Sequence, residues 1–202
     1  MTLDGLRPLA DRMITPVVAG SKRAGLTPNA VSVLALLAAV GAAGSFTFAG
    51  ETRLAYLLGA VLVACNGVLD LLDGALAREL DRSSEAGDLL DHVLDRYADI
   101  VVVVGLAAGV DRFALGLAAV TGVLMTSYLG TQAQAVGLDR VYGGLLGRAD
   151  RLVLVGVVTT VAAFVGTTLQ GLTLVGWLLV VFAVVGHLTA LQRFYHAHRA
   201  LG

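Results

Sequence analysis

The chain alternates between long apolar stretches and short polar or charged connections. The apolar stretches cover residues 28–48, 53–80, 85–110, 112–136, 151–165 and 168–194. A helix needs about 20 mainly apolar residues to cross the ~30 Å hydrocarbon core of a bilayer. It also satisfies its backbone N–H and C=O groups internally, which lipid demands. The pattern therefore predicts an all-α integral membrane protein with six transmembrane helices. Ahead of the first span, residues 1–26 set Arg7, Arg12, Lys22 and Arg23 among Leu3, Leu6, Leu9, Met13, Ile14, Val17 and Val18. That mixture predicts a basic amphipathic juxtamembrane segment on the membrane surface, with Pro8 and Pro16 dividing it into short pieces. No uninterrupted apolar run with a small-residue cleavage site precedes the first span, so no signal peptide is expected. The domain reading is a single membrane domain over 1–202, with 1–26 juxtamembrane and 28–194 as the six-helix bundle.

Composition agrees. Hydrophobic residues make up 57% and charged residues 14% of the chain, and the mean hydropathy is +0.83, which excludes an ordinary soluble domain. The net charge of −1 is uninformative, but its distribution is not. Arg7, Arg12, Lys22, Arg23, Arg78, Arg82, Arg140, Arg148, Arg151, Arg193 and Arg199 fall on one side of the expected bundle, Arg53 and Arg112 on the other, and Arg96 within a span. Positive residues mark the cytoplasmic side, so both termini and the connection at 80–85 are expected to be cytoplasmic. Cys65 is the sole cysteine and can form no intrachain disulfide. The 25 glycines suit close helix packing. No nucleic-acid partner is expected.

Against this background the acids stand out. Asp70 and Asp73 are spaced i,i+3, and Asp91 and Asp95 i,i+4, on two successive apolar segments. Each pair therefore projects from one helix face. An aspartate at a span's centre costs about 2.5–3.5 kcal/mol, so four left uncompensated would cost on the order of 10 kcal/mol. Positive charge must lie among them, and hard divalent cations suit carboxylate oxygens.

The run also has a fixed spacing: D-x2-D-G-x2-A-R-x8-G-x3-D-x3-D, at Asp70, Asp73, Gly74, Ala77, Arg78, Gly87, Asp91 and Asp95. In this it resembles the CDP-alcohol phosphotransferase family. The resemblance implies a metal-dependent membrane enzyme. Such an enzyme moves a phosphatidyl-type group from a CDP-linked lipid to the hydroxyl of a small polar alcohol, releasing CMP in phospholipid biosynthesis. It implies two divalent cations, Mg2+ or Mn2+, held by Asp70, Asp73, Asp91 and Asp95, with Asp95 also the catalytic general base. By the same resemblance Gly74 and Ala77 admit the nucleotide and Arg78 binds phosphate. Ser84 either contacts the CDP group or caps the following helix. Leu26-Thr27-Pro28-Asn29 is similar to a stretch the family places near the nucleotide, which would put Pro28 and Asn29 in the CDP-lipid site; ordinary helix-starting chemistry accounts for it equally. A homodimer, surrounded by membrane lipids and opening its active site to the cytoplasm, completes the implied picture.

The acceptor is less legible. Residues 127–135 (Ser-Tyr-Leu-Gly-Thr-Gln-Ala-Gln-Ala), 147–151 (Gly-Arg-Ala-Asp-Arg) and Gln192-Arg193 look like the subgroup that makes inositol-phosphate lipids. Gly130, Gln132 and Gln134 depart from its Lys, Arg and Glu. Arg148, Arg151 and Arg193 remain to bind an acceptor phosphate, though the positive-inside rule alone would also place them there. The expected acceptor is a phosphorylated polyol such as inositol phosphate or glycerol phosphate, with inositol or serine as alternatives. Diacyl and archaeol donors are not distinguished. Outside the motif, Asp99 is expected to pair with Arg96 along its helix, His92 faces elsewhere, and His196 and His198 face lipid headgroups. The rival class is a cation transporter. Against it, the acids gather at one side of the membrane and no two halves show matching broken helices.

Overall fold

The computed structural model describes residues 7–81, 84–138 and 146–202. Among them run seven helices: α1 (Arg7–Arg23), α2 (Pro28–Thr47), α3 (Leu54–Glu79), α4 (Glu85–Gly109), α5 (Phe113–Ala135), α6 (Arg148–Phe164) and α7 (Leu174–Leu201). Three starts are written in local chemistry. The Thr27 hydroxyl accepts from Ala30 N with Pro28 in the first turn, the Ser84 hydroxyl accepts from Gly87 N, and the Thr173 hydroxyl accepts from Gly176 N.

The helices pack as α2 between α3 and α4, α5 on α7 and also on α4, and α6 against α3. Phe46, Val63, Leu106, Leu179 and Phe182 fill the centre and are essentially inaccessible. Small residues set two of the seams. A Cβ on Gly105 would lie 2.5 Å from the Ala43 backbone, and one on Gly186 would lie 2.8 Å from Gly122, so α4 meets α2, and α7 meets α5, nearly backbone to backbone. Outside, large apolar side chains such as Leu37, Leu58, Leu117, Val157 and Leu188 are exposed. This is the surface a bilayer covers rather than one water tolerates.

Four segments are long and apolar enough to span a membrane: α2 with its following turn (Pro28–Gly50), α3, α5 and α7. The other two expected spans fall short for different reasons. α4 has 25 residues, but Glu85, Asp88, Asp91, Asp95, Arg96 and Asp99 load the part from Glu85 to Asp99. α6 has only 17 residues and opens on Arg148, Asp150 and Arg151. Both helices that fall short bring charge to the site from their N-terminal part, whereas α3 carries Asp70, Asp73 and Arg78 in its C-terminal part and keeps a long apolar run before them.

Three expectations need correction. α1 is one continuous 17-residue helix with Pro16 inside it. Pro8 falls in the first turn, where a missing N–H costs nothing. Pro16 is offset by anchoring: Ile14 and Val18 pack with Val31, Leu72 and Leu76, and Lys22 Nζ reaches Glu79 at 2.9 Å. The segment therefore rests partly on the protein and not only on the membrane. α6 begins at Arg148 rather than 151, because the Asp150 carboxylate accepts from Gly147 N at 3.0 Å and fixes the first turn. The last helix begins at Leu174, not 168, because Leu169 and Leu172 exchange two backbone hydrogen bonds around Gln170 and Gly171, both at positive φ. That is a two-residue turn of the hairpin kind, which no helix can include.

Candidate active site

α3 and α4 both pack on α2 rather than on each other, and acidic side chains of the two helices converge. This places Asp70 near Asp91 and Asp95, and oxygens of the three carboxylates lie within 4.8 Å of one another. All three are half-buried. The fourth acid stands apart: Asp73 is 6% exposed, and its Oδ2 accepts a 2.7 Å hydrogen bond from Ser32 Oγ on α2.

Cationic side chains enter from α4 and α6. Arg148 Nη1 pairs with Asp70 and, at 2.7 Å, with Asp95. Asp99, one turn below, is 7% exposed and gathers Arg151 Nη2 at 2.9 Å, Arg96 Nη2 at 3.8 Å and Arg148 Nε at 4.0 Å. The expected Asp99–Arg96 pair is present, but Asp99's nearest cation belongs to another helix. The four motif carboxylates and Asp99 thus outnumber the three guanidiniums of Arg96, Arg148 and Arg151. An all-oxygen donor set with that excess fits a hard divalent ion such as magnesium or manganese.

The expected nucleotide-binding residues lie on adjoining turns of α3, α4 and α2. Gly74 and Arg78 are one turn apart on α3, and a Cβ on Gly74 would be 3.6 Å from Arg78 Nη1, so the guanidinium lies back over the glycine. Ser84 caps α4, and its hydroxyl is 3.1 Å from Gly87 N. A Cβ on Gly87 would sit 3.2 Å from that hydroxyl and 3.7 Å from Asn29 Oδ1, which brings the Thr27-Pro28-Asn29 stretch against the motif. Helix-starting chemistry at Thr27 and proximity to the motif thus hold together. Of the three expected acceptor-site arginines, Arg148 and Arg151 converge at Asp99, whereas Arg193 Nη1 donates to the Thr126 carbonyl of α5 at 2.6 Å. His92 is exposed, and its Nδ1 lies 3.9 Å from Asp91 Oδ2.

Two residues escaped the sequence reading: Ser32, a polar side chain on an apolar span, and Asp99 in its role as a hub. A polar residue buried in an apolar helix was the available signal for both.

From Asp70 and Arg148 an open groove of about 1210 Å3 runs between α3 and α6. Ala60, Val61, Ala64, Val68, Leu152 and Val157 make its walls. It is charged at one end and apolar along its length, as a lipid with an anionic head would require.

Comparison with known proteins gives a consistent result. Residues 25–185 match the family model described as CDP-alcohol phosphatidyltransferase. The archaetidylinositol phosphate synthase of Methanothermobacter thermautotrophicus is 29% identical over 98% of this chain and 95% of its own length. The crystal structure of Mycobacterium tuberculosis phosphatidylinositol phosphate synthase with CDP-DAG bound superposes with a TM-score of 0.77 at 30% identity, covering 92% of this chain and 94% of that one. The same enzyme in complex with manganese and citrate also gives 0.77 at 30% identity, over 91% and 88%. A matched region from Gly25 to Val185 that contains the whole acidic motif, in a fold shared with a synthase of that class, leads to one conclusion: this chain belongs to the CDP-alcohol phosphatidyltransferase family.

Proposed function

We propose that the acidic cluster at the junction of α3 and α4 is a divalent-metal centre where a phosphatidyl-type group passes from a CDP-linked lipid to an alcohol, with CMP released. The observation that carries this is the convergence of Asp70, Asp91 and Asp95 within 4.8 Å at the head of an apolar groove. Asp70, Asp73, Asp91 and Asp95 would hold the metal. When bound, the metal supplies charge neutralisation for the pyrophosphate and for the leaving oxygen. Asp95 takes the proton of the acceptor hydroxyl as that oxygen attacks the lipid-bearing phosphorus and the bond to CMP breaks. Arg78, with its planar fork of donors, binds donor phosphate; Gly74, Ser84, Pro28 and Asn29 form the nucleotide end, and the α3–α6 groove takes the apolar tails. Membership of a transferase family decides against the cation-transport reading.

For the acceptor, Arg148 and Arg151 form a paired guanidinium site suited to a phosphate, and Arg193 is the third candidate. The relatives are named for inositol-phosphate lipids, which favours inositol phosphate, with glycerol phosphate second. The proposal includes α4 and α6 as membrane-crossing helices, both termini and the site on the cytoplasmic side, and a homodimer. The bunching of Lys and Arg on one side supports the orientation.

The test is CMP release by purified protein with magnesium. Diacyl and ether-linked CDP-lipids would each be offered inositol phosphate, glycerol phosphate, inositol or serine. Release is expected with inositol phosphate; release with inositol or serine alone would overturn the phosphate-binding role of the arginines.

A further inference from the structure

The first two turns of α2 touch both halves of the acidic motif. Asn29 lies against Gly87 of α4, and Ser32, one turn further along the same helix, is 6% exposed and donates to Asp73 Oδ2 of α3 at 2.7 Å. A second acceptor, the Pro28 carbonyl, lies at 3.2 Å from the same hydroxyl. A hydroxyl has one hydrogen, and the shorter bond to an anionic oxygen is the stronger, so the hydrogen belongs to Asp73. The helix that carries it is fixed at its start by the Thr27 cap and Pro28. Asp73 meanwhile is the one motif acid outside the converging group of Asp70, Asp91 and Asp95. Its carboxylate is held by the Ser32 hydroxyl of α2, together with the Gly74 backbone N–H of α3, and not by the other acids.

We propose that Ser32 is a positioning residue for the divalent-cation site. By engaging Oδ2 it holds the Asp73 carboxylate in the orientation in which it would bind the cation. This rests on the reading of Asp73 as a metal ligand. Partners one bond removed from a metal commonly change its affinity 10- to 100-fold when lost. A serine whose only work is to satisfy a polar contact would leave metal affinity unchanged.

Manganese titration followed by electron paramagnetic resonance, on the purified full chain, separates the two. Thermal unfolding of each variant serves as the control for folding. Ser32→Ala is expected to weaken Mn2+ binding by about tenfold or more, Ser32→Thr to restore it by keeping the donor, and Asp73→Asn to weaken it at least as much as Ser32→Ala. If Ser32→Ala does not fold, Ser32→Cys, a weak donor of similar size, takes its place with the same expected loss. Wild-type affinity in Ser32→Ala beside a weakened Asp73→Asn would overturn the role of Ser32 and leave the metal reading standing. Loss in Ser32→Thr equal to that in Ser32→Ala would overturn it too, by showing that shape matters and the donor does not. Wild-type affinity in Asp73→Asn would remove Asp73 from the ligand set, and Ser32 with it.

Discussion

Asp99 shows what a single side chain does here. Arg151 and Asp99 are 6% and 7% exposed and 2.9 Å apart, so neither charge has water to fall back on. Asp99→Asn keeps the shape and removes the counter-charge, which leaves Arg151 buried and uncompensated. Breaking such a pair costs about 3–5 kcal/mol, and denaturant unfolding in detergent should show a loss of that size, together with a raised KM for a phosphorylated acceptor. Unchanged stability would mean that the Arg151 charge is compensated without Asp99. At this scale the sequence was legible where residues are close along the chain. The spacing of Asp70, Asp91 and Asp95 pointed to an acidic cluster, and the fold brings those three together. It could not announce that Ser32 meets Asp73 across 41 residues or that Arg151 meets Asp99 across 52. Those contacts depend on how each helix is rotated about its axis, and an all-apolar face gives no phase from which to read that.

Elements were read well where local chemistry decides them and less well where packing does. Thr27-Pro28 and Ser84 fixed two helix starts as expected, while Pro16 failed to break α1 because Ile14 and Val18 are held on α3. The α2–α4 seam is set by Gly105, whose absent side chain lets the Ala43 backbone approach. A methyl group there would lie 2.5 Å from the Ala43 backbone, and backbone cannot step aside as a side chain can. Gly105→Ala is expected to destabilise the fold by about 1–3 kcal/mol through overpacking, read as a lowered melting temperature. Because α2 also carries Ser32, manganese binding should weaken with it; an unaffected melting temperature would show that the seam can open without cost. The charge on α4 and the shortness of α6 have a common reason at this scale. Each helix delivers charged side chains from its N-terminal part, which cuts into the apolar run by which spans are recognised; α3 delivers Asp70, Asp73 and Arg78 from its C-terminal part and keeps that run.

The whole molecule places a charged cluster at one end of an apolar groove, in a bundle whose outer face is made for lipid. In the proposed function that architecture would separate two chemistries that must meet in one reaction: a hydrophobic donor entering between α3 and α6, and a water-soluble acceptor and CMP exchanging at the charged end. Composition and the distribution of Arg and Lys already implied such a division, but the groove itself, formed by helices far apart in sequence, was invisible until the fold was in hand. The central claim is that Asp70, Asp91 and Asp95 act together as a metal site for CMP release. The most direct test is magnesium-dependent CMP release from a CDP-lipid by Asp91→Asn protein shown by its unfolding profile to be folded. The account predicts that turnover is abolished while the protein still inserts and folds; normal CMP release from that variant would contradict it.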